Sequence, residues 1–138
     1  MKRLVLIGAC ALVLAACGGG GGTSDVDQVK HVWTSFFSAQ TDASEKPAML
    51  QNGAKFAAAI QSLAGNPLAA HLSSKVSSVT IEGASKAKVV FSIYLGNTAV
   101  LTNKTGYAYK ENGKWLVGSA VLCGLLAQYE TPPAACTS

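Results

Sequence analysis

Among the side chains of this 138-residue chain that could carry chemistry, Cys17 has the most specific setting: Leu14-Ala15-Ala16 precede it and five glycines follow. A leucine, two small residues and a cysteine in that order match what a lipoprotein signal peptidase accepts. The chemistry is attachment of lipid through the cysteine sulfur, with Cys17 becoming the first residue of the mature chain. The residues upstream agree. Lys2 and Arg3 give a positive start, positions 4–14 an apolar middle, and Ala15-Ala16 the small residues before the cut. A spanning helix needs about 20 apolar residues, and this run is shorter. The competing reading is an ordinary secretory signal with a cysteine near its cut by coincidence.

Cys10 leaves with the signal, so Cys123 and Cys136 are the one candidate disulfide pair of the mature chain. In an oxidising exported environment such a pair is readily joined. Closing a loop of this length contributes about 3 kcal/mol in the chain-entropy model. Alternatively, Cys123 is a small buried hydrophobe and Cys136 lies free in a frayed tail. The two histidines offer less. His31 falls opposite the apolar stripe of a first helix, four residues after Asp27, where an exposed pair is the natural reading. His71 has no acidic or cysteine neighbour that would make it a metal ligand. Asp42 and Glu45 occupy a loop, Glu82 ends a strand and Glu111 adjoins a turn. No general base points convincingly inward, and no Ser/His/Asp or Cys/His set assembles. We therefore expect no catalytic residues, no metal and no cofactor.

Charge narrows the partners. Lysine and arginine total 11 against 7 acidic residues. Removing residues 1–16 takes Lys2 and Arg3 away and leaves 122 residues with nine basic against seven acidic side chains, a net charge of about +2. Arg3 is the only arginine. A nucleic-acid reader would carry an arginine-rich patch, so nucleic acid is excluded as a partner class. The length suits one compact domain with a real core.

Several elements must position these residues. Glycines 18–22 with Thr23 and Ser24 form a flexible tether, and at about 5–6 Å times the square root of length it holds the domain roughly 15 Å from an anchor. Ser24 or Asp25 caps a helix in which Val26, Val29, Val32, Trp33, Phe36 and Phe37 recur at helical spacing. A short helical segment through Ala48, Met49 and Leu50 stops at Asn52-Gly53. Phe56, Ile60 and Leu63 mark another helix, and Asn66-Pro67 caps and opens a further turn to Leu72.

From Lys75 the period becomes two. Strands are expected at 75–82, 86–95, 98–110 and 114–122, joined by turns at 83–85, Gly96-Asn97 and Asn112-Gly113. Short turns make this an antiparallel meander that the upstream helices must cover on one face. Pairing outward from the turns sets Tyr107 and Tyr109 on the face opposite Phe91, Ile93, Trp115 and Val117. One bulge near residues 103–105 would reverse that. If the concave face encloses a pocket, its walls would come from Trp33, Phe37, Phe91, Tyr94, Tyr107 and Trp115. Residues 123–126 close the last strand, and residues 130–138 form a tail that is loose unless the disulfide pins it. The divisions are thus a signal at 1–16, a lipidated cysteine and tether at 17–24, a domain at 25–129 and a tail at 130–138.

Val32-Trp33 and Phe36-Phe37 in the first helix, Leu50-Gln51-Asn52-Gly53 before Phe56, Asn112-Gly113-Lys114-Trp115 and the closing Leu125-Leu126 together resemble a family of small exported proteins. These are the proteins of mycobacteria and related actinobacteria grouped with a low molecular weight secreted antigen. The likeness runs from about residue 25 to residue 127 and includes no catalytic motif. It implies an α+β fold, N-terminal helices packed on a curved four-stranded antiparallel meander, similar to the cystatin-like and ketosteroid-isomerase-like cone. It also implies an exported antigen without an assigned biochemical role. The lipid-accepting Cys17 departs from the released antigen and implies retention at the outer face of the cell membrane.

Three functions follow from these readings. The first is a non-enzymatic envelope lipoprotein, anchored to the membrane by lipid, that binds an apolar small molecule or an envelope protein in its cone. The second is an isomerase- or dehydratase-like enzyme using the cone cavity, a reading that rests on fold alone. The third is a structural or accessory homodimer formed through an apolar outer sheet face.

Overall fold

The computed structural model describes residues 24–128 and 131–137; the processing site at Cys17 and its glycine tether lie outside them. The first helix, α1 (Asp25–Phe36), starts where Ser24 takes an extended conformation and its hydroxyl accepts a hydrogen bond from the Asp27 amide at 3.2 Å. The same hydroxyl donates to the Asp27 carboxylate at 2.9 Å, so the cap is held from both sides. Val29, Val32, Trp33 and Phe36, spaced three and four apart, are all buried.

Two 3-10 turns, Lys46–Met49 and Gly53–Phe56, lead into α2 (Ala57–Ala64). Asn52 adopts a left-handed conformation between them, with φ of 55°. Gly53 therefore begins the second turn and does not close a helix, and a Cβ there would collide with the Pro47 carbonyl. A third 3-10 turn, Pro67–His71, is capped by the Asn66 side chain, which accepts from the Leu68 amide at 2.9 Å.

The sheet is a meander in the order β1 (Leu72–Ile81), β2 (Lys86–Leu95), β3 (Thr98–Glu111) and β4 (Lys114–Val117), antiparallel throughout. Asn112 and Gly113 both have positive φ, 51° and 78°, as a two-residue hairpin with this sequence requires. Along β2 the odd residues Ala87, Val89, Phe91 and Ile93 face the core, and the even ones face outward. Helix α1 packs against β1 and β4, the two outer strands, so the sheet curls around it. The fold is α+β, with the N-terminal helix in the hollow of a curved sheet.

The last expected strand is shorter than its sequence suggested. β4 stops at Val117, and residues Ser119–Leu126 form a helix, α3. Gly118 is still extended and its amide donates to the Tyr107 carbonyl at 2.8 Å, in register with the β3–β4 pairing, where a Cβ would stand 2.5 Å from that carbonyl; the helix starts immediately after it. Leu122 and Leu126, one helical turn apart, reach the core together. Beyond α3, residues 131–137 include the 3-10 turn Ala134–Cys136, and Cys136 is disulfide-bonded to Cys123 with their Cα atoms 5.6 Å apart.

The third strand carries the irregularity that decides its faces. Its pairing with β2 shifts twice, between Phe91 and Ile93 and between Ile93 and Tyr94. Asn103 has positive φ, 49°, and its amide donates to the Ser92 hydroxyl at 3.1 Å. A single bulge would invert every later residue, but two restore parity. Ala108 therefore opposes Ala87 and Gly106 opposes Val89 on the inner face, while Tyr107 and Tyr109 point outward.

Candidate functional site

The inner face is filled by aromatic rings. Trp33 lies with its ring centre 4.9 Å from Phe91 and 6.0 Å from Phe37, and Phe37 stacks on Phe91 at 6.1 Å with the ring planes 10° apart. Gly106 lets this happen. A Cβ at that position would stand 2.8 Å from the Trp33 ring and 2.6 Å from the Val121 side chain. The sequence offered a signal for this position, an isolated glycine inside a strand, which marks a close approach. Trp33 and Phe91 are thus core residues and line no open space.

At the start of α1, Asp25 ties the helix to the β3–β4 hairpin. Its Oδ1 accepts from Trp115 Nε1 at 2.9 Å and from Lys110 Nζ at 3.3 Å, and the Lys110 ammonium also approaches the Trp115 ring. These two donors, the indole first, hold the Asp25 carboxyl below its ordinary 3.8. A carboxyl whose folded pKa is depressed contributes stability above its unfolded value, and that contribution disappears as pH falls through the folded one. We expect Asp25→Asn to flatten this part of the acid limb of a thermal-unfolding series run between about pH 2 and pH 6. Superimposable acid limbs for the variant and the wild type would contradict this role.

Three concavities surround the core. The first, about 130 Å³, opens between the 3-10 turn Pro67–His71, the β2–β3 hairpin and the end of α3. Its walls include Leu63, Leu72, Ile93, Leu95, Val100 and Leu125, and Asn66 is the only polar residue among its lining. Leu68, the only large apolar side chain that is exposed among the described residues, stands at its rim. The second, about 50 Å³, adjoins it across Leu63, Ala69, Leu72 and Leu125, and is bounded further in by Phe36, Phe37 and Lys46. The third is a broad open groove of about 850 Å³ between α1, the Lys46–Met49 turn and β4, with His31, Glu45, Lys114 and Trp115 along it.

The groove is much the larger, but the smaller cavity has the more uniformly apolar walls. Enclosure by apolar walls removes ligand surface from water, whereas an open groove leaves most of it wet. The His31 ring is exposed and makes no hydrogen bond or ion pair with another described residue, while the His31 carbonyl accepts from Thr34 Oγ1 at 3.2 Å. His71 is likewise exposed. Among the described residues no group of three His, Cys, Asp or Glu side chains could hold a metal ion.

Of the six aromatic residues named from the sequence, Phe37 walls the smaller cavity and Trp115 the groove. Tyr94 and Tyr107 lie on the outer sheet face, Tyr107 beneath the Lys86 ammonium at 4.4 Å from its ring centre. They and the buried Trp33 and Phe91 line none of the three concavities. The cavity walls come instead from aliphatic residues of the 66–72 turn, the β2–β3 hairpin and α3. Ser73, Lys75, Ser78, Thr80, Lys86 and Lys88 also project from the outer face, beside Val90, Tyr94, Tyr107 and Tyr109.

Residues 23–133 match the family model of the low molecular weight antigen MTB12, C-terminal domain. No curated protein matches the chain. Among the described residues no helix is long and apolar enough to cross a membrane.

Proposed function

Since this chain belongs to the family defined by the C-terminal domain of the low molecular weight antigen MTB12, we propose that it is an exported, non-enzymatic lipoprotein, and that its domain binds an apolar small molecule at the wide end of the cone. The carrying observation is the cavity walled by Leu63, Leu72, Ile93, Leu95, Val100 and Leu125. Its lining offers a ligand apolar contact and one polar anchor, and no acid or base to act on it. The lipid anchor is supported by Leu14-Ala15-Ala16-Cys17 and by the glycines that follow, which allow the domain to ride close to the membrane. The outer face of the cell membrane is then its place of work.

Two measurements test the two halves of this reading. Cells fed a radiolabelled or alkyne-bearing fatty acid should label the wild-type protein and leave Cys17→Ser unlabelled; equal labelling of the two would contradict lipidation at Cys17. Occupancy of the cavity is tested by titration with a small neutral alcohol, octan-1-ol, which needs no charged partner.

A further inference from the structure

Lys46 is the only charged residue among those lining the two adjoining cavities. It sits at the start of the 3-10 turn Lys46–Met49, half-buried against the space bounded by Phe36, Phe37 and Ile60. The only salt bridge among the described residues joins Lys110 to Asp25, at the other end of the sheet, and no hydrogen bond from the Lys46 amine reaches a described residue. An ammonium brought out of water without a counter-charge is destabilised, and burial accordingly pulls the Lys46 pKa down.

The two cavities form a row. They share Leu63, Ala69, Leu72 and Leu125; one end of the row is Lys46 and the other is the hairpin wall of Leu95 and Val100. The row has an amine at one end and aliphatic side chains along the rest, the arrangement complementary to a chain with an anionic head. We propose that the site takes a single-chain fatty carboxylate, with its head against Lys46 and its chain running past Leu72 and Leu125 toward Leu95 and Val100. This rests on the reading of the cavity as a ligand site and names the ligand class. The carboxylate would supply the counter-charge that the fold leaves out, and a charge-assisted pair in such surroundings is stronger than one in water.

The test separates the charge from the cavity. Octanoate and octan-1-ol are titrated by calorimetry at neutral pH into the chain from position 17 onward, carrying Cys17→Ser so that neither lipid nor detergent competes. All described core residues lie between Val29 and Leu126, and the disulfide partner Cys136 is retained, so this chain contains the whole folding unit. Lys46→Met keeps an apolar stem and removes the charge, and Lys46→Arg restores it. We expect Lys46→Met to weaken octanoate about tenfold, the scale of one charge-assisted hydrogen bond, with octan-1-ol changed less than about twofold and octanoate binding recovered in Lys46→Arg. Equal octanoate affinity in wild type and Lys46→Met, with octan-1-ol still bound, would overturn the role of Lys46 and leave the cavity reading standing. Failure of both ligands to bind wild type would overturn the cavity reading itself.

Discussion

Trp33→Ala should destabilise the domain by about 3–5 kcal/mol, the range for removing a large buried aromatic, as read from urea unfolding followed by circular dichroism. The side chain is fully buried and links Phe91 on the sheet to Phe37 at the end of α1. It rests on Gly106, where the sheet surface has no side chain, so the void left by alanine cannot be filled by a small shift of a neighbour. A domain of this size is stable by only about 5–15 kcal/mol, so this one change removes a large share. The indole N–H has no acceptor among the described residues. A buried donor without a partner costs about 1–3 kcal/mol, so Trp33→Phe, which removes that donor and leaves a smaller void, should cost clearly less than the alanine. Equal losses for phenylalanine and alanine would contradict this account of the position.

The second large effect belongs to the disulfide. Cys136→Ser should cost about 3 kcal/mol on the loop-closure model for the 13-residue separation of the two cysteines. The loss falls on α3 in particular. This helix has only eight residues, begins at Gly118 without a side-chain cap, and reaches the core through Leu122 and Leu126. It also supplies Leu125 and Leu126 to the cavity wall, so the variant should expose the amides of residues 119–126 to hydrogen exchange faster than those of β2. A reductant should lower the wild-type urea midpoint to that of Cys136→Ser and leave the variant unmoved. A variant within about 1 kcal/mol of the wild type would show that α3 is held by its core leucines alone.

Much of the scaffold was legible because local chemistry and tertiary packing agree in it. Ser24, Asn66-Pro67, Gly96-Asn97 and Asn112-Gly113 each demand a particular backbone conformation from nearby atoms alone, and the elements begin or turn at those positions. The apolar spacing of α1 and the alternation of β2 were equally readable. Residues 114–122 were not, because Val117, Val121 and Leu122 suit a strand as well as a helix. The change comes just after Gly118, which stays extended opposite Tyr107 and then opens α3, whose leucines reach a core that local spacing does not reveal. The faces of β3 required counting bulges, which depend on contacts such as Asn103 with Ser92 that spacing does not reveal.

The candidate site was the least legible part, for a related reason. Aromatic residues attract attention as pocket walls, yet large rings are also the best core fillers, and Trp33 and Phe91 went to the core. The cavity is walled by leucines, valine and isoleucine from segments far apart in the chain, residues that carry no individual signature. Lys46, one of ten lysines, is distinguished only by what surrounds it.

The central claim is that the wide end of the cone, and not the open groove, receives an apolar ligand, and methyl NMR of the chain from position 17 with Cys17→Ser tests it most directly. Titration with octan-1-ol should move the methyl signals of Leu68, Leu95, Val100 and Leu125 in a saturable way and leave those of Val32, Met49 and Leu116 in place. Saturable shifts confined to Val32, Met49 and Leu116, or no shifts at any of these methyls, would contradict it.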